Sequence, residues 1–390
     1  MSQQLAYVII TPYTISKSRT GGIIARLISR TGLDLAAARM FAPSPDLVKQ
    51  YSEVIISTND PQDRYIQELI RDYILKNLSP DPKTGLRRRA MMLLFHGDDA
   101  VRKVRSVVGN ISSTRRGGET IRDTYGDLVS DENDRVVYFE PAVLAAPNFE
   151  ECEAKLKLWA RYSDSDGGLM DKTIAYAPGE VPQRTLVLIK PDNFRFPTGR
   201  PGNVIDFFSR TGLFIVGIKV HRMSTGDAVE FYGPVREVLR TKLKDMVASK
   251  SRTVLEKEFG FTVPPEVQQQ LGDVLGPVFG DNQFDNIVRF MAGRSASECP
   301  PDQLNAPGTE KCIALVYEGV NAVNKIRDVL GPTDPSKAPP GSIRREFGST
   351  IMVNAAHASD SVENAQRELG IVKVGENNFR TVVEEFYGKF

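Results

Sequence analysis

The chain repeats itself, and this limits its fold more than any single motif does. IITP (residues 9–12) answers LIKP (188–191), and SRTGL follows in each half, at 29–33 and 209–213. DLVKQY (46–51) answers DAVEFY (227–232). LFHGDDAVRKVRSVVG (94–109) lies without a gap on VYEGVNAVNKIRDVLG (316–331), and TIRDTYG (120–126) then lies on SIRREFG (342–348). The matches keep their order and similar spacing, as a tandem duplication requires. A chain of 390 residues has room for two cores. Residues 163–182, SDSDGGLMDKTIAYAPGEVP, are rich in Gly, Asp and Pro and suit a linker. The expected organisation is a first copy over 1–162, a linker over 163–182 and a second copy over 183–390.

Each copy alternates strands and helices. In the second, TLVLIK (185–190), LFIVGIKV (213–220), CIALVY (312–317) and STIMV (349–353) read as strands by their apolar and β-branched content. Residues 202–210, 227–239, 320–330 and 361–369 carry helical patterns, and Asp360 with Glu363 resembles a capping box. The order βαββαβ implies an α+β fold, ferredoxin-like in each copy, with a four-stranded antiparallel sheet covered by helices. Insertions are expected near 235–282 and 294–311: a charged helical run (236–258) and a Pro-rich loop, SECPPDQLNAPGTEK (297–311). Shorter extra segments in the first copy, at 61–89 and 111–118, are rich in Arg or Lys.

Lys plus Arg (50) nearly cancels Asp plus Glu (49), so no general pull towards nucleic acid or anionic membrane is expected and any anion must be recognised locally. Cys152, Cys299 and Cys312 form no CxxC pair, which suits a reducing compartment. The opening MSQQLAYVIITPYT reads as a first strand, not a signal peptide. No apolar stretch approaches the roughly 20 residues that span a bilayer. A soluble, cytoplasmic protein is the expectation.

No Walker motif and no GxGxxG fingerprint is present, which argues against a glycine-cradled phosphate site. Histidine occurs three times, as His96, His221 and His357. His357 is expected just after a strand and just before a helix, where the helix N-terminus favours anions nearby. Taken alone, a histidine at such a turn is more often structural. Its surroundings narrow the choice: NAAHASDS (354–361) resembles the active-site signature of nucleoside diphosphate kinases. The resemblance runs over 184–372 and includes LIKPD (188–192), YEGVNAV (317–323) and LGPTDPSKAPPGSIRREF (330–347).

The resemblance implies ping-pong transfer of the γ-phosphoryl group from ATP and other nucleoside triphosphates to diphosphates. His357 would be the nucleophile. Lys190 would contact sugar hydroxyl and phosphate oxygens, Arg327, Thr333 and Arg344 would grip phosphates, and Asn354 would bind the ribose region. Tyr232, Ser359 and Glu368 match positions that surround and orient the histidine. Ile351 would lie beneath the base, and Phe284, beside Gln283, would stack on it. Mg²⁺ would be carried by the nucleotide. Physical logic runs parallel: phosphoryl transfer needs positioning and cations around a charge-spread transition state, and the planar fork of Arg binds two oxygens at once. The rival is a nucleotide-binding regulatory or scaffold protein with negligible turnover.

The first copy lacks the chemistry. Thr11, Pro141 and Leu144 stand where the second has Lys190, Asn354 and His357, while Arg105, Arg122 and Tyr51 persist. His96 replaces Glu318 and offers no substitute nucleophile. Since the family forms dimers that assemble further, the two halves are expected to form an intramolecular pseudo-dimer, which could itself associate with other chains. The alternative is that the first copy binds nucleotide or phosphate without turnover.

Overall fold

A computed structural model of the protein describes residues 3–112 and 117–390, so 113–116 of the basic 111–118 segment lie outside the described residues. The strands are β1 (Gln3–Ile10), β2 (Asp34–Phe41), β3 (Ala90–Asp98), β4 (Asp127–Ser130), β5 (Val136–Glu140), β6 (Val143–Ala145), β7 (Pro182–Ile189), β8 (Phe214–His221), β9 (Cys312–Val320) and β10 (Ala356–Ala358). Two four-stranded sheets result, in the orders β2-β3-β1-β6 and β10-β7-β9-β8. Counted within each copy, both run 2-3-1-4, the order of an antiparallel βαββαβ unit. The fold is α+β, with two tandem ferredoxin-like copies.

Register equates the copies. Ile9 of β1 faces Leu144 of β6, and Leu188 of β7 faces His357 of β10. LAYVII and LVLI are continuous apolar runs because both central strands are buried on both faces.

The chain divides into two compact units. The first holds both sheets (Met1–Val220, Ile313–Leu369 and Lys373–Phe390), and the second holds His221–Cys312 with Gly370–Val372. Within the first unit the helices Thr20–Thr31 and Arg200–Phe208, one from each copy, pack together. A Cβ added at Gly21 or Gly202 would collide with the carbonyl oxygen of the other, so this close approach needs glycine on both sides. Asp206 Oδ1 accepts the Gly22 N–H at 3.1 Å, capping the facing helix start.

Residues between the copies dress open sheet edges. Gly168 N–H donates to Met40 O at 2.9 Å, and Met170 N–H to Val216 O at 2.8 Å. The C-terminal helix Asn378–Tyr387 completes the core of the first copy. Its Phe379 is fully buried, edge-on to Phe41 at 5.6 Å, and Phe41 in turn meets Trp159 at 5.0 Å. Arg39 holds the approach to this helix through Glu376 O (3.0 Å) and Gly375 O (3.2 Å), and burial lowers its pKa to about 10.

The second unit is helical: Thr225–Lys242, Lys244–Phe259 and Pro265–Ala292. Gly272, Gly276 and Gly280 line one side of the last helix, where a Cβ would press on Lys244 or Arg240 backbone. Among the described residues no helix is long and apolar enough to cross a membrane.

Several sequence expectations need correction. The charged run 236–258 is two helices meeting at Leu243, not one. STIMV forms no strand, and the fourth strand lies later, at Ala356–Ala358, with His357 inside it. The cause is the turn before it: Ala355 has φ +71, a left-handed residue that re-aims the chain. The following helix is capped by Ser361, whose hydroxyl accepts the Asn364 N–H, and not by Asp360.

Candidate active site

His357 occupies the middle of β10, on the edge of the second sheet beside β7. Its Nε2 lies 3.0 Å from Oε2 of Glu368, which stands on the helix Val362–Val372. The Ser359 hydroxyl donates to that same oxygen at 2.6 Å. Glu368 and Ser359 are buried, while the His357 side chain keeps 23% of its surface exposed. A buried carboxylate holding one imidazole nitrogen, and itself held by a hydroxyl, fixes ring orientation and tautomer.

Lys190 follows β7, and its N–H donates to Ala355 O at 3.0 Å. Its Nζ donates to Met352 O and, at 3.0 Å, to Asn354 Oδ1. Burial lowers the Lys190 pKa to about 8, the Asp192 charge raises it in part and Arg344 lowers it further. The Asn354 amide donates to Ile351 O (2.8 Å) and Thr333 O (3.1 Å), tying the loop after the helix Ala322–Leu330 to the approach of β10. Arg344 donates to Gly331 O at 3.0 Å and Ala356 O at 3.2 Å. Lys190, Arg344, Asn354, Ser359, Glu368 and His357 are thus brought together by one hydrogen-bonded framework.

Other expected residues stand differently. The Arg327 side chain is exposed, on the last turn of the helix Ala322–Leu330, where its carbonyl accepts the Gly331 N–H. Thr333 is exposed and Ile351 is 62% exposed. Tyr232 and Phe284 belong to the helical unit. Phe284 is only 3% exposed, with the Arg236 guanidinium 5.5 Å from its ring, so the expectation of base stacking meets a ring whose faces are already covered. Tyr232 packs on Phe231 at 4.9 Å between ring centres.

Two residues went unnoticed in the sequence. The Asn193 amide donates to Ala355 O at 2.7 Å and Lys190 O at 2.9 Å. Arg200 holds Asn193 (2.9 Å), Asp192 (2.9 Å) and Phe347 O. This strut fixes the left-handed turn that leads into His357. Only the polar Asp192–Asn193 pair after a strand hinted at it. Among the described residues no group of three or more His, Cys, Asp or Glu is placed to hold a metal.

In the first copy the same framework carries other side chains. Leu144 is buried, Lys155 stands eleven residues later where Glu368 would be, and its Nζ pairs with Glu151 at 3.0 Å. Glu140 accepts from Thr11 (2.9 Å), the Ala142 N–H (3.0 Å) and the Tyr73 hydroxyl (2.6 Å).

Comparison with known proteins finds relatives of one family by sequence. The sequence model of the family Nucleoside diphosphate kinase matches residues 303–375. The nucleoside diphosphate kinase of Campylobacter hominis is 30% identical over 193 residues, 50% of this chain and 96% of the relative. That of Wolinella succinogenes is 32% identical over 187 residues, 48% of this chain and 92% of the relative. A solved Aquifex aeolicus nucleoside diphosphate kinase is 26% identical, covering 49% of this chain and 95% of that one, with a TM-score of 0.30. On its sequence relatives, this chain belongs to the nucleoside diphosphate kinase family.

Proposed function

We propose that the second copy moves the γ-phosphoryl group of a nucleoside triphosphate to a nucleoside diphosphate by way of His357. The observation that carries this reading is the His357–Glu368–Ser359 chain. A carboxylate accepting from Nε2–H leaves the nucleophilic lone pair on Nδ1. In the first half-reaction Nδ1 attacks the γ-phosphorus, and an Nδ1–P bond forms. The P–O bond to the β-phosphate breaks, its electron pair leaving with the diphosphate. In the second, a terminal oxygen of the acceptor diphosphate attacks the phosphohistidine and restores neutral imidazole.

Glu368 stabilises the positive charge that develops on the ring as Nδ1 gives up its lone pair. Lys190 and Arg344 lie in one framework with the histidine, and Arg327 lies one turn before the loop that Asn354 ties down. Fixed cations of this kind stabilise charge on transferring phosphoryl oxygens without reorganising during the step. Mg²⁺ would come bound to the nucleotide phosphates, ligated by their oxygens and water, and would offset their charge. The first copy would be the structural half of an intramolecular pseudo-dimer, a reading supported by the Gly21–Gly202 contact and by Phe379 filling its core.

Incubation with γ-labelled ATP tests the proposal. Label should attach as an acid-labile, alkali-stable phosphoramidate and disappear in His357→Gln. Label that survives acid, or that persists in the variant, would sink the mechanism. No label together with nucleotide binding would favour a scaffold role.

A further inference from the structure

The first unit contains a second cavity with chemistry of its own, remote in sequence from the residues around His357. It has a volume of about 200 Å³ and opens to solvent between elements of the two copies. Its apolar wall includes Ile15, Ile205, Leu213 and Phe214. An apolar cavity of roughly 150 Å³ suffices for benzene, so this one accepts a ring or branched chain with a polar end.

Beside the hydroxyls of Ser16, Ser18, Thr20 and Ser209, its lining includes Arg89, Asp206 and Tyr317. The Tyr317 side chain is only 2% exposed, yet its hydroxyl has no hydrogen-bond partner among the described residues. Leaving a buried hydroxyl so costs about 1–3 kcal/mol. Packing does not demand it, because the equivalent position in the first copy is Phe95, equally buried and without the hydroxyl. The Arg89 guanidinium lies 5.2 Å from the centre of the Phe214 ring and donates one N–H to Ile215 O. No carboxylate pairs with it among the described residues; Glu318, whose charge it feels, is paired with Arg184 at 2.7 Å. The Asp206 carboxyl accepts backbone N–H groups of Gly22, at 3.1 Å, and Gly21, while burial raises its pKa, so a cationic group beside it would relieve a buried charge that neutral amides only partly offset.

We infer that this cavity is a binding site for a small zwitterion with an apolar body, a free α-amino acid with a branched or aromatic side chain. A carboxylate alone would suit Arg89 but meet Asp206, and an amine alone would suit Asp206 but meet Arg89. A molecule carrying both groups satisfies both side chains and gives the Tyr317 hydroxyl a partner. Because its walls come from both copies, the site exists only in the tandem arrangement.

The test uses the full chain with methyl-labelled Ile and Leu, titrated by NMR. L-phenylalanine should shift the methyls of Ile15, Ile205 and Leu213 and saturate in the millimolar range or below. 3-Phenylpropionate and phenethylamine, each with one charge removed, should bind at least about tenfold more weakly. Arg89→Met should reduce phenylalanine to the affinity of phenethylamine. Tyr317→Phe, which copies Phe95, should keep the fold and weaken binding several-fold. No shift with about 20 mM phenylalanine or leucine would overturn the inference. So would equal binding of benzyl alcohol, which would make the cavity an apolar hole only. The wild-type panel decides the matter even where a variant fails to fold.

Discussion

The two copies of the repeat share a scaffold and differ in chemistry, and the shared part shows what the scaffold alone requires. Arg122 donates to Gly109 O at 2.9 Å and Val143 O at 3.2 Å, while Arg344 donates to Gly331 O at 3.0 Å and Ala356 O at 3.2 Å. Ala142 and Ala355 both take left-handed φ, +60 and +71, and both carbonyls accept from the residue after the first strand, Thr11 or Lys190. Features present in both copies therefore belong to the scaffold, whatever further part the second copy gives them. Those confined to the second are His357, Lys190, Asn354, Ser359 and Glu368, against Leu144, Thr11, Pro141, Ala146 and Lys155. At the histidine's partner the charge is inverted. A lysine there cannot accept from an imidazole N–H or stabilise an imidazolium.

The largest expected effect separates the copies outright. His357→Gln should lower kcat at least about a thousandfold, since the nucleophile has no substitute. Leu144→Ala should leave kcat within a few-fold and instead cost about 2–5 kcal/mol of stability, as loss of a buried leucine does. Denaturation and steady-state kinetics on both variants would read this, and loss of turnover in Leu144→Ala with stability intact would break the comparison. Glu368→Lys, which copies Lys155, should lower kcat roughly a hundredfold or more, and Glu368→Gln by less. Unchanged kcat in both would remove Glu368 from any role in orienting the ring.

Much of this scaffold was legible in the sequence because duplication gives two independent readings of one pattern. Apolar runs such as LAYVII and TLVLI marked the central strands, and the ungapped match of 94–109 with 316–331 fixed register between copies. The short strand at His357 was not legible. Three residues carry too little periodicity, and the turn that sets their direction depends on Ala355, a residue with no special tolerance for positive φ. The Asn193–Arg200 strut and the Lys190 N–H, all remote in sequence, help to hold that turn. The burial of Phe284 was hidden for a related reason, because aligning an insertion says nothing about which rings it buries. The same limit hid the dependence of the first copy on Phe379, more than three hundred residues beyond the Phe41 it packs against.

The next effect sharpens the comparison at its point of closest likeness. Arg122→Ala and Arg344→Ala each remove two hydrogen bonds from a charged donor to backbone carbonyls, so each should destabilise the chain by about 2–3 kcal/mol. Arg344→Ala should also reduce kcat roughly ten- to a hundredfold, because its charge stands in the framework that holds His357, whereas Arg122→Ala should not. If kcat survives in both, Arg344 is a strut in the second copy as Arg122 is in the first. If both lose kcat alike, the first copy takes part in turnover, and its separation from the chemistry fails.

The smallest effect comes from Lys190, the titrating counterpart of a threonine that cannot titrate. Its pKa in the folded chain is about 8, below the ordinary 10.5, mainly because burial disfavours the ammonium. The phosphate-binding form is the protonated one, and it is lost as pH rises through about 8. In the free enzyme kcat/KM should therefore fall roughly tenfold between pH 8 and pH 9.5, while kcat should fall later, since a bound anion favours the ammonium. Stability should move the other way. Between about pH 8 and 10.5 the unfolded chain binds a proton that the folded chain has lost, so this group makes stability rise with pH across that window. Opposite signs distinguish a titrating Lys190 from general alkaline unfolding, which would lower activity and stability together. Lys190→Gln should abolish both trends, leaving a weak activity that is flat over the same range. A pH limb that persists in Lys190→Gln would assign the titration to another group and reduce Lys190 to the role of its counterpart, Thr11.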